Sequence, residues 1–551
     1  MNGVKKRSWG RIFRFHFLCI LCVALQLACG KRETANGYFQ YNEQAGIATL
    51  DPAFAKNQAT IWAAHQLYNT LVETNDQMEI IPSLARNWEQ SSDGLQFTFW
   101  LRTDVFFHDH PAFKNGKGRR MTARDVVYSF RRLMNPATAS PGAWVFRHHV
   151  DPQSGFSALN DSVFSIRLKK PFQPLLGVLT NQYCSVLPKE AVESSSLPFR
   201  NHPCGTGPFR LKAWEEGQVL LMERNPSYFE TDSAGQPLPY LNGVKVSFLE
   251  SKAAEFLAFR QKKLHFLNDI DPTFKDEVLT RQGVLRKRWE GVFVLQKQLY
   301  LNVEYLGILQ DTTDLAVRNS PLRFKAVRQA INYGIDRRKM IRYLRNSIGN
   351  VAENGFVPPG LPGFDSAKVE GYTYNPELAR SLLQTAGYHQ KNPVPIIKLL
   401  TIPAYADLGS YIAKQLADIG IRIQVEVMPK SLLLTQTANG DALFFRASWI
   451  ADYPDPENFL SVFYGENPAP PNYTRYRNKT YDLLYEKAIR EPDVQQRINA
   501  YRLMDQMLIQ DAPIVPLWYD QVIRLVQPEV SGFKTNALNL LDLRKVKLPN
   551  P

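Results

Sequence analysis

The segment from residue 408 to residue 427 joins a helix, a glycine and a strand without an intervening loop. Leu408–Ile419 has the composition of a helix, and Gly420 suits the left-handed position at which helices end. Ile421–Val427 then alternates apolar and polar residues, which is typical of a strand with one buried face. A helix that passes directly into such a strand needs a sheet to pack against. The segment therefore predicts a layered α/β architecture.

Similar patterns occur along the whole chain. Thr122 and Asp125 form a capping-box pattern, and Asn375-Pro376-Glu377 begins a helix that should stop at Gly387. Short strands are predicted in the first half, at residues 95–102, 163–168, 208–213, 219–223 and 244–249. Because no Pro-, Gly- or Ser-rich linker divides the chain, we predict α/β lobes joined by several crossovers. Ligands commonly bind in the cleft between such lobes.

The N-terminus has the pattern of an export signal. A basic stretch, Lys5–Arg14, precedes the nearly apolar residues Phe15–Ala28. A helix of that length spans about 21 Å, which is shorter than the ~30 Å hydrocarbon core of a bilayer. We therefore predict a signal peptide at residues 1–28 rather than a membrane span.

Leu27-Ala28-Cys29-Gly30 resembles the bacterial lipobox, in which the cysteine becomes the lipid-modified N-terminus. The resemblance implies a lipid on Cys29, followed by a flexible tether over residues 29–40. The sequence departs from the pattern at Gln26, where leucine is usual, so cleavage without lipidation is the alternative.

The chain contains five cysteines. Cys19 and Cys22 would leave with the signal peptide and Cys29 would carry the lipid, so that Cys184 and Cys204 remain. In an oxidising compartment we expect these two to form a disulfide that stabilises the fold by about 3 kcal/mol. Free thiols are the alternative, and no CxxC spacing supports a metal site.

Composition and charge exclude several classes of protein. Hydrophobic residues make up 44% of the chain and charged residues 21%, which is ordinary for a globular protein. The net charge of +14 becomes +9 without residues 1–28, which carry five basic residues and no acidic one. No block of like charge and no nucleic-acid-binding motif is present, so a nucleic-acid partner is not expected.

Catalytic motifs are absent from the sequence. We find no GxSxG elbow, HExxH pair, Walker A loop or dinucleotide-binding fingerprint. His108 and His110 form the one metal-like pair, but a metal site needs three or four ligands. Beside Pro111 and a Gly/Lys-rich loop, this pair is expected in a solvated turn. We predict no enzyme activity, no metal and no cofactor.

The segment from Arg446 to Leu460, RASWIADYPDPENFL, resembles the bacterial peptide- and oligopeptide-binding proteins of ABC transporters, solute-binding family 5. Further landmarks of that family follow one another in the expected order along the mature chain. They are SLA at 83–85 with Trp88, MTARDVVYSF at 121–130, CGTGPF at 204–209, VRQAI at 327–331, and DAPIVPLW at 511–518.

The resemblance implies a two-lobed, periplasmic-binding-protein type II-like fold with an extra domain and a ligand cleft between the lobes. Residues 41–270 and 486–551 would form the first lobe, including the extra domain at roughly 72–165. Residues 271–485 would form the second lobe, and two crossing strands would act as the hinge.

The implied function is the capture of peptides and their delivery to an ABC permease. Such a protein is exported, is anchored to the membrane by its N-terminal lipid, faces the periplasm or the cell exterior, and acts as a monomer. The resemblance leaves other readings open. They are a receptor for a metal chelate or an oligosaccharide, a secreted hydrolase, and a surface protein that binds through its basic face.

Three residues of the motif would carry peptide binding in this family. Asp452 corresponds to the acid that binds the α-amino group of the peptide, and Trp449 would form an apolar wall. Arg446 lies where a cation can meet the peptide carboxylate. Taken alone, the same residues suit a turn cap, core packing and a surface ion pair.

Lys56 departs from the family pattern. It follows the Leu50-Asp51-Pro52 turn at about the position where oligopeptide binders carry an acidic residue. A different peptide length, an acidic ligand or a non-peptide ligand is consistent with this change.

Overall fold

The computed structural model describes residues 37–549. The expected signal peptide at 1–28 and the lipidation site Cys29 lie outside this range. The first strand already begins at Tyr38, so that residues 38–40 of the expected tether belong to a sheet instead. Within the described range, no helix is both long and apolar enough to cross a bilayer.

The strands follow one another along the whole chain. They are β1 Tyr38–Asn42, β2 Val72–Thr74, β3 Ile80–Pro82, β4 Ala85–Gln90, β5 Gln96–Leu101, β6 Phe156–Asn160, β7 Val163–Arg167, β8 Phe209–Glu215, β9 Val219–Arg224, β10 Gly243–Ser247, β11 Phe266–Asn268, β12 Val294–Ile308, β13 Asn350–Val351, β14 Ile397–Thr401, β15 Ile423–Val427, β16 Phe444–Ile450 and β17 Ile514–Val526.

The α-helices lie mainly in the second half. They are α1 Gln58–Leu67, α2 Ala123–Met134, α3 Trp144–Arg147, α4 Leu175–Val178, α5 Lys189–Val192, α6 Lys252–Arg260, α7 Pro272–Val278, α8 Leu315–Asn319, α9 Lys325–Tyr333, α10 Arg337–Leu344, α11 Pro376–Thr385, α12 Ala406–Ala417, α13 Lys430–Asn439, α14 Glu457–Leu460, α15 Lys479–Ala488 and α16 Val494–Asp511.

Local signals in the sequence account for several of these boundaries. Thr122 and Asp125 form the expected capping box at the start of α2. Asn375 caps α11 by accepting a hydrogen bond from the backbone N–H of Leu378. Gly420 has a φ of +95°, a conformation that favours glycine, and separates α12 from β15. The helix–glycine–strand unit is thereby confirmed.

Two four-stranded sheets build the first lobe. One has the order β1-β10-β9-β8, and the other has the order β4-β5-β7-β6 with α2 against it. A single continuous apolar core joins both sheets, from Phe39 through Trp62 to Phe99 and Phe164. The extra domain expected at 72–165 therefore shares its core with the rest of this lobe.

A seven-stranded sheet builds the second lobe, in the order β11-β17-β12-β16-β14-β15, with β13 also paired to β17. It has an apolar core on each face. One core contains Leu301, Tyr305 and Phe459, and the other contains Leu306, Ile412 and Phe444.

Helix α16 belongs to the second lobe rather than to the first. Its residues Tyr501, Met504 and Leu508 lie in the core around Leu301, and the strand that follows contributes Ile514 and Tyr519. The expected lobe boundary at residue 486 thus precedes a helix whose apolar face is covered by the second lobe. We therefore propose a boundary within β17.

The strands β12 and β17 run from one lobe into the other. They pair antiparallel from Val294–Val526 to Gly307–Ile514, and the pairing is interrupted between Leu299 and Val303. Val526, at one end of β17, lies in the first core, whereas Ile514, at the other end, lies in the second lobe. This two-stranded ribbon corresponds to the expected pair of crossing strands.

The predicted disulfide between Cys184 and Cys204 is absent, and both side chains are buried free thiols. The Cys184 thiol donates to the carbonyl of Val178, whereas the Cys204 thiol donates to the carbonyl of His108. Because each thiol has its own acceptor, neither is directed at the other. Burial raises the pKa of both thiols, which makes them poor nucleophiles.

We expect a reducing agent to leave the thermal unfolding midpoint of the chain unchanged. A disulfide closing this loop would contribute about 3 kcal/mol, and its reduction would lower the midpoint clearly. Differential scanning calorimetry with and without reductant measures the effect. A lower midpoint in the reduced sample would contradict the free-thiol arrangement.

Candidate ligand-binding cleft

Asp452 lies in the turn that follows β16, and Asn458 fixes this turn. The Asn458 side-chain oxygen accepts hydrogen bonds from the backbone N–H of Asp452 and from the indole N–H of Trp449, both at 3.1 Å. The same side chain hydrogen-bonds the Asp452 carboxylate. Asn458 is itself buried, so the turn has little freedom to move. The sequence analysis did not single out Asn458, although it stands within the family motif.

A cavity of about 260 Å³ lies between the two lobes, and Asp452 forms part of its wall. The first lobe contributes residues 56–58, 61, 62, 180–182, 539 and 540, and the second lobe contributes residues 300 and 450–452 and Leu538, which packs against its core. A ligand in a chamber lined by both lobes contacts both of them, so its affinity would depend on how far apart the lobes are.

The Asp452 carboxylate is accessible to water although protein surrounds it on most sides. This partial desolvation raises the pKa of Asp452 to about 6, and the hydrogen bond from Asn458 opposes the rise. Within residues 37–549, no basic side chain lies within ion-pair distance of this carboxylate. Asp452 is therefore an available anion on the wall of the cavity.

Lys56 lines the same cavity from the first lobe. It stands between the 3-10 turn Pro52–Phe54 and helix α1, which begins at Gln58. The cavity thus has a cationic side chain on one lobe and an anionic one on the other.

Trp449 does not line this cavity. In β16 it is opposite Val303 of β12, and its half-buried indole packs against the core around Leu301. Its N–H bonds Asn458, so its observed contacts position the Asp452 turn.

Arg446 points to the opposite face of β16 from Trp449, and it too lies outside the cavity. Its guanidinium pairs with both carboxylate oxygens of Glu304 on β12. It also lies over the ring of Tyr405, 3.9 Å from the ring centroid. Burial raises the pKa of Glu304, and the adjacent guanidinium opposes that rise. The charge of Arg446 is therefore already compensated within the protein.

Tyr453 links the turn to the first lobe. Its side chain is buried in the first core, stacks on Trp144 with ring centroids 6.3 Å apart, and lies against Gly177. Its hydroxyl donates to Glu457. In addition, the side-chain amide of Asn181 donates to the carbonyl of Asp452 at 3.2 Å. Two direct contacts thus join the lobes beside the cavity.

His108 and His110 are buried, which corrects the expectation of a solvated turn. The Nε2 atom of His108 is 2.9 Å from the carbonyl of Gly207, and burial lowers the pKa of His108 to about 4. Gly207 is required here because a side chain would collide with the backbone of Leu67. In the described part of the chain, no three His, Cys, Asp or Glu side chains are grouped as a metal site.

Comparison with known proteins places the whole fold in a known group. The family model of the bacterial extracellular solute-binding proteins, family 5 (middle), matches residues 79–471. The chain is 28% identical to di/tripeptide-binding protein 2 of Pseudomonas aeruginosa, over 92% of this chain and 94% of the relative. It is 26% identical to heme-binding protein A of Haemophilus influenzae, over 91% and 90% respectively.

Among solved structures, the chain is similar to the ABC transporter-associated periplasmic binding protein DppA of Helicobacter pylori in complex with the peptide STSA. The TM-score is 0.74 and the identity 26%, covering 94% of this chain and 100% of the other. The predicted two-lobed type II-like fold is confirmed.

Proposed function

Since the chain belongs to the bacterial extracellular solute-binding proteins of family 5, we propose that it captures peptides in the cavity between its lobes and delivers them to an ABC permease. We propose further that it is exported, is anchored to the membrane through a lipid on Cys29, and acts as a monomer. Its proposed role is binding and release rather than catalysis.

One observation carries the peptide assignment: Asp452 presents a carboxylate that forms no ion pair within residues 37–549, in a chamber formed by both lobes. The α-amino group of a free peptide is a cation that loses its hydration when the chamber closes. A fixed carboxylate replaces that hydration with a charge-assisted hydrogen bond. The relatives that bind di- and tripeptides in name, and the solved complex with STSA, support the same ligand class.

Native mass spectrometry of the purified chain tests this proposal. We expect a series of bound masses that fit peptides and that disappear after partial unfolding and refolding. The Asp452→Asn variant should bind peptides about tenfold to a hundredfold more weakly, the equivalent of one charge-assisted hydrogen bond. Asp441→Asn is the matched control, because Asp441 is an exposed carboxylate on the same lobe that does not line the cavity.

A single bound mass that fits a haem or a metal chelate would show that the ligand is not a peptide. It would leave the fold assignment unchanged. An equal loss of peptide affinity in Asp452→Asn and Asp441→Asn would show that Asp452 does not bind the peptide. Turnover of a bound peptide, with a rate that changes in Asp452→Asn, would support the hydrolase alternative instead.

Peptide affinity should decrease as the pH falls through 6. The pKa of Asp452 is raised to about 6 in the free protein, whereas a bound ammonium group stabilises the ionised carboxylate. Above pH 7 the carboxylate is ionised before binding, and below pH 6 each further pH unit should cost about a factor of ten in affinity. Calorimetric titrations between pH 5 and pH 7.5 measure this slope. If peptide affinity depends on pH in the same way in Asp452→Asn, the titrating group is not Asp452.

A further inference from the structure

We propose that Lys56 binds the free carboxylate of the ligand, and that the cavity selects peptides of two or three residues with both termini free. The inference rests on the proposed peptide-binding function and names the ligand class of that site.

The volume of the cavity suits a short ligand. The cavity holds about 260 Å³, and an extended dipeptide spans about 7 Å, a tripeptide about 10 Å and a pentapeptide about 17 Å. Lys56 and Asp452 line this one chamber from different lobes and are too far apart to form an ion pair with each other. A short zwitterionic ligand places one charged end near each of them.

The backbone on both sides of Lys56 is fixed. On the N-terminal side, the buried Asp51 caps the 3-10 turn and pairs with both terminal nitrogens of Arg132. On the C-terminal side, Asn57 caps helix α1 in a reciprocal capping box with Thr60. The backbone at Lys56 is therefore rigid, and only the lysine side chain needs to be ordered when a ligand binds.

Among residues 37–549, Lys56 has no competing partner. Within the described range of the chain, no carboxylate lies within ion-pair distance of its ammonium group. The side chain is exposed toward the cavity wall and remains available to an anion. A neutral ligand or an amidated peptide would leave this cation uncompensated on closure.

Two further features make the first-lobe side of the cavity positive. Helix α1 begins there, and its first residues line the chamber. Beneath the wall, the buried Arg524 donates to the side-chain oxygen of Asn539 at 2.7 Å, and Asn539 itself lines the cavity. Over residues 37–549, no carboxylate forms an ion pair with Arg524. Its charge therefore adds to that of Lys56 on the first-lobe wall of the cavity.

Arg446 does not compete for the carboxylate of the ligand. Its guanidinium pairs with the buried Glu304, and it lies outside the cavity. Arg446, the cation of the motif, is thus paired with Glu304, whereas Lys56, outside the motif, forms no ion pair within residues 37–549.

The test compares free acids with amides. The probes are the dipeptides Ala-Ala, Leu-Ala, Ala-Leu, Lys-Ala and Glu-Ala, their C-terminal amides, trialanine and pentaalanine, titrated by calorimetry into the full chain. We expect the free dipeptides or trialanine to bind at least tenfold more tightly than the amides and than pentaalanine. In Lys56→Gln, the free acids should lose this tenfold or larger advantage, while the amides keep their affinity.

Lys169→Gln is the matched control, because Lys169 is an exposed lysine of the first lobe outside the cavity. A thermal melt of each variant reports its folding. An acid-over-amide preference that persists in Lys56→Gln would overturn the role of Lys56. Tighter binding of pentaalanine than of any shorter probe would overturn the length limit and leave peptide binding intact. If no peptide binds the wild-type chain, the proposed function itself fails.

Discussion

Arg446→Ala should lower the free energy of unfolding by about 3–5 kcal/mol, the usual cost of leaving a buried charge without its partner. The side chain of Glu304 is 1% exposed and that of Arg446 is 12% exposed, so water cannot replace the lost guanidinium easily. Chemical denaturation at pH 7 measures the loss. An exposed pair would contribute no more than about 1 kcal/mol, and a loss that small would contradict the buried-pair interpretation.

The pH dependence of the same variant provides a second readout. Without Arg446, burial raises the pKa of Glu304 above its value in the unfolded chain. The folded state then favours the protonated acid, so the stability deficit should shrink as the pH falls from 8 to 5. The double variant Arg446→Met/Glu304→Leu is the control. It removes both charges and should recover most of the lost stability at every pH.

Tyr453→Ala should weaken the closed arrangement of the lobes. The Tyr453 ring is 4% exposed, and replacing a buried aromatic side chain with alanine typically costs about 3–5 kcal/mol. Tyr453 belongs to the second lobe, but its ring packs in the core of the first lobe. The substitution therefore destabilises the arrangement in which the two lobes are in contact. We expect every peptide to lose about a hundredfold or more in affinity, independently of its terminal charges.

Tyr453→Phe is the control for the aromatic contact, because it keeps the stacking on Trp144 and removes only the hydroxyl that donates to Glu457. It should lose much less affinity than Tyr453→Ala. Small-angle scattering with saturating peptide should show a larger radius of gyration for Tyr453→Ala than for the wild type. If Tyr453→Ala lowers the unfolding free energy but leaves peptide affinity unchanged, the Tyr453 contact stabilises the fold and does not stabilise the closed arrangement of the lobes.

The sequence predicted the layered architecture well, because the signals that define it are local. Capping residues such as Thr122 and Asn375, and the glycine at 420, act within a few residues of their own helices. The placement of α16 was not predicted, because its boundary residues carry no sign of which lobe covers its apolar face. That choice depends on contacts with residues such as Leu301, about 200 positions away along the chain.

Within the candidate site, the sequence located the Asp452 turn but not the surroundings of its neighbours. Arg446 and Trp449 are three residues apart on a strand, and the alternation of side chains places them on opposite faces. The sequence thus contained evidence against a joint role for these two residues. The partner of Arg446, Glu304, is 142 positions away and has no local signal. Asn458 was overlooked although it lies six positions after Asp452.

The break in the ribbon between β12 and β17 has a mechanical consequence. Where the pairing with β17 is interrupted, between Leu299 and Val303, the backbone of Leu301 hydrogen-bonds Ala537 and Ala451 instead. Tyr300 lies within this break and also lines the cavity. A molecule in the cavity is therefore in contact with the ribbon at the break in its pairing. We expect the lobes to rotate about this break, which would place the ligand beside the axis of rotation.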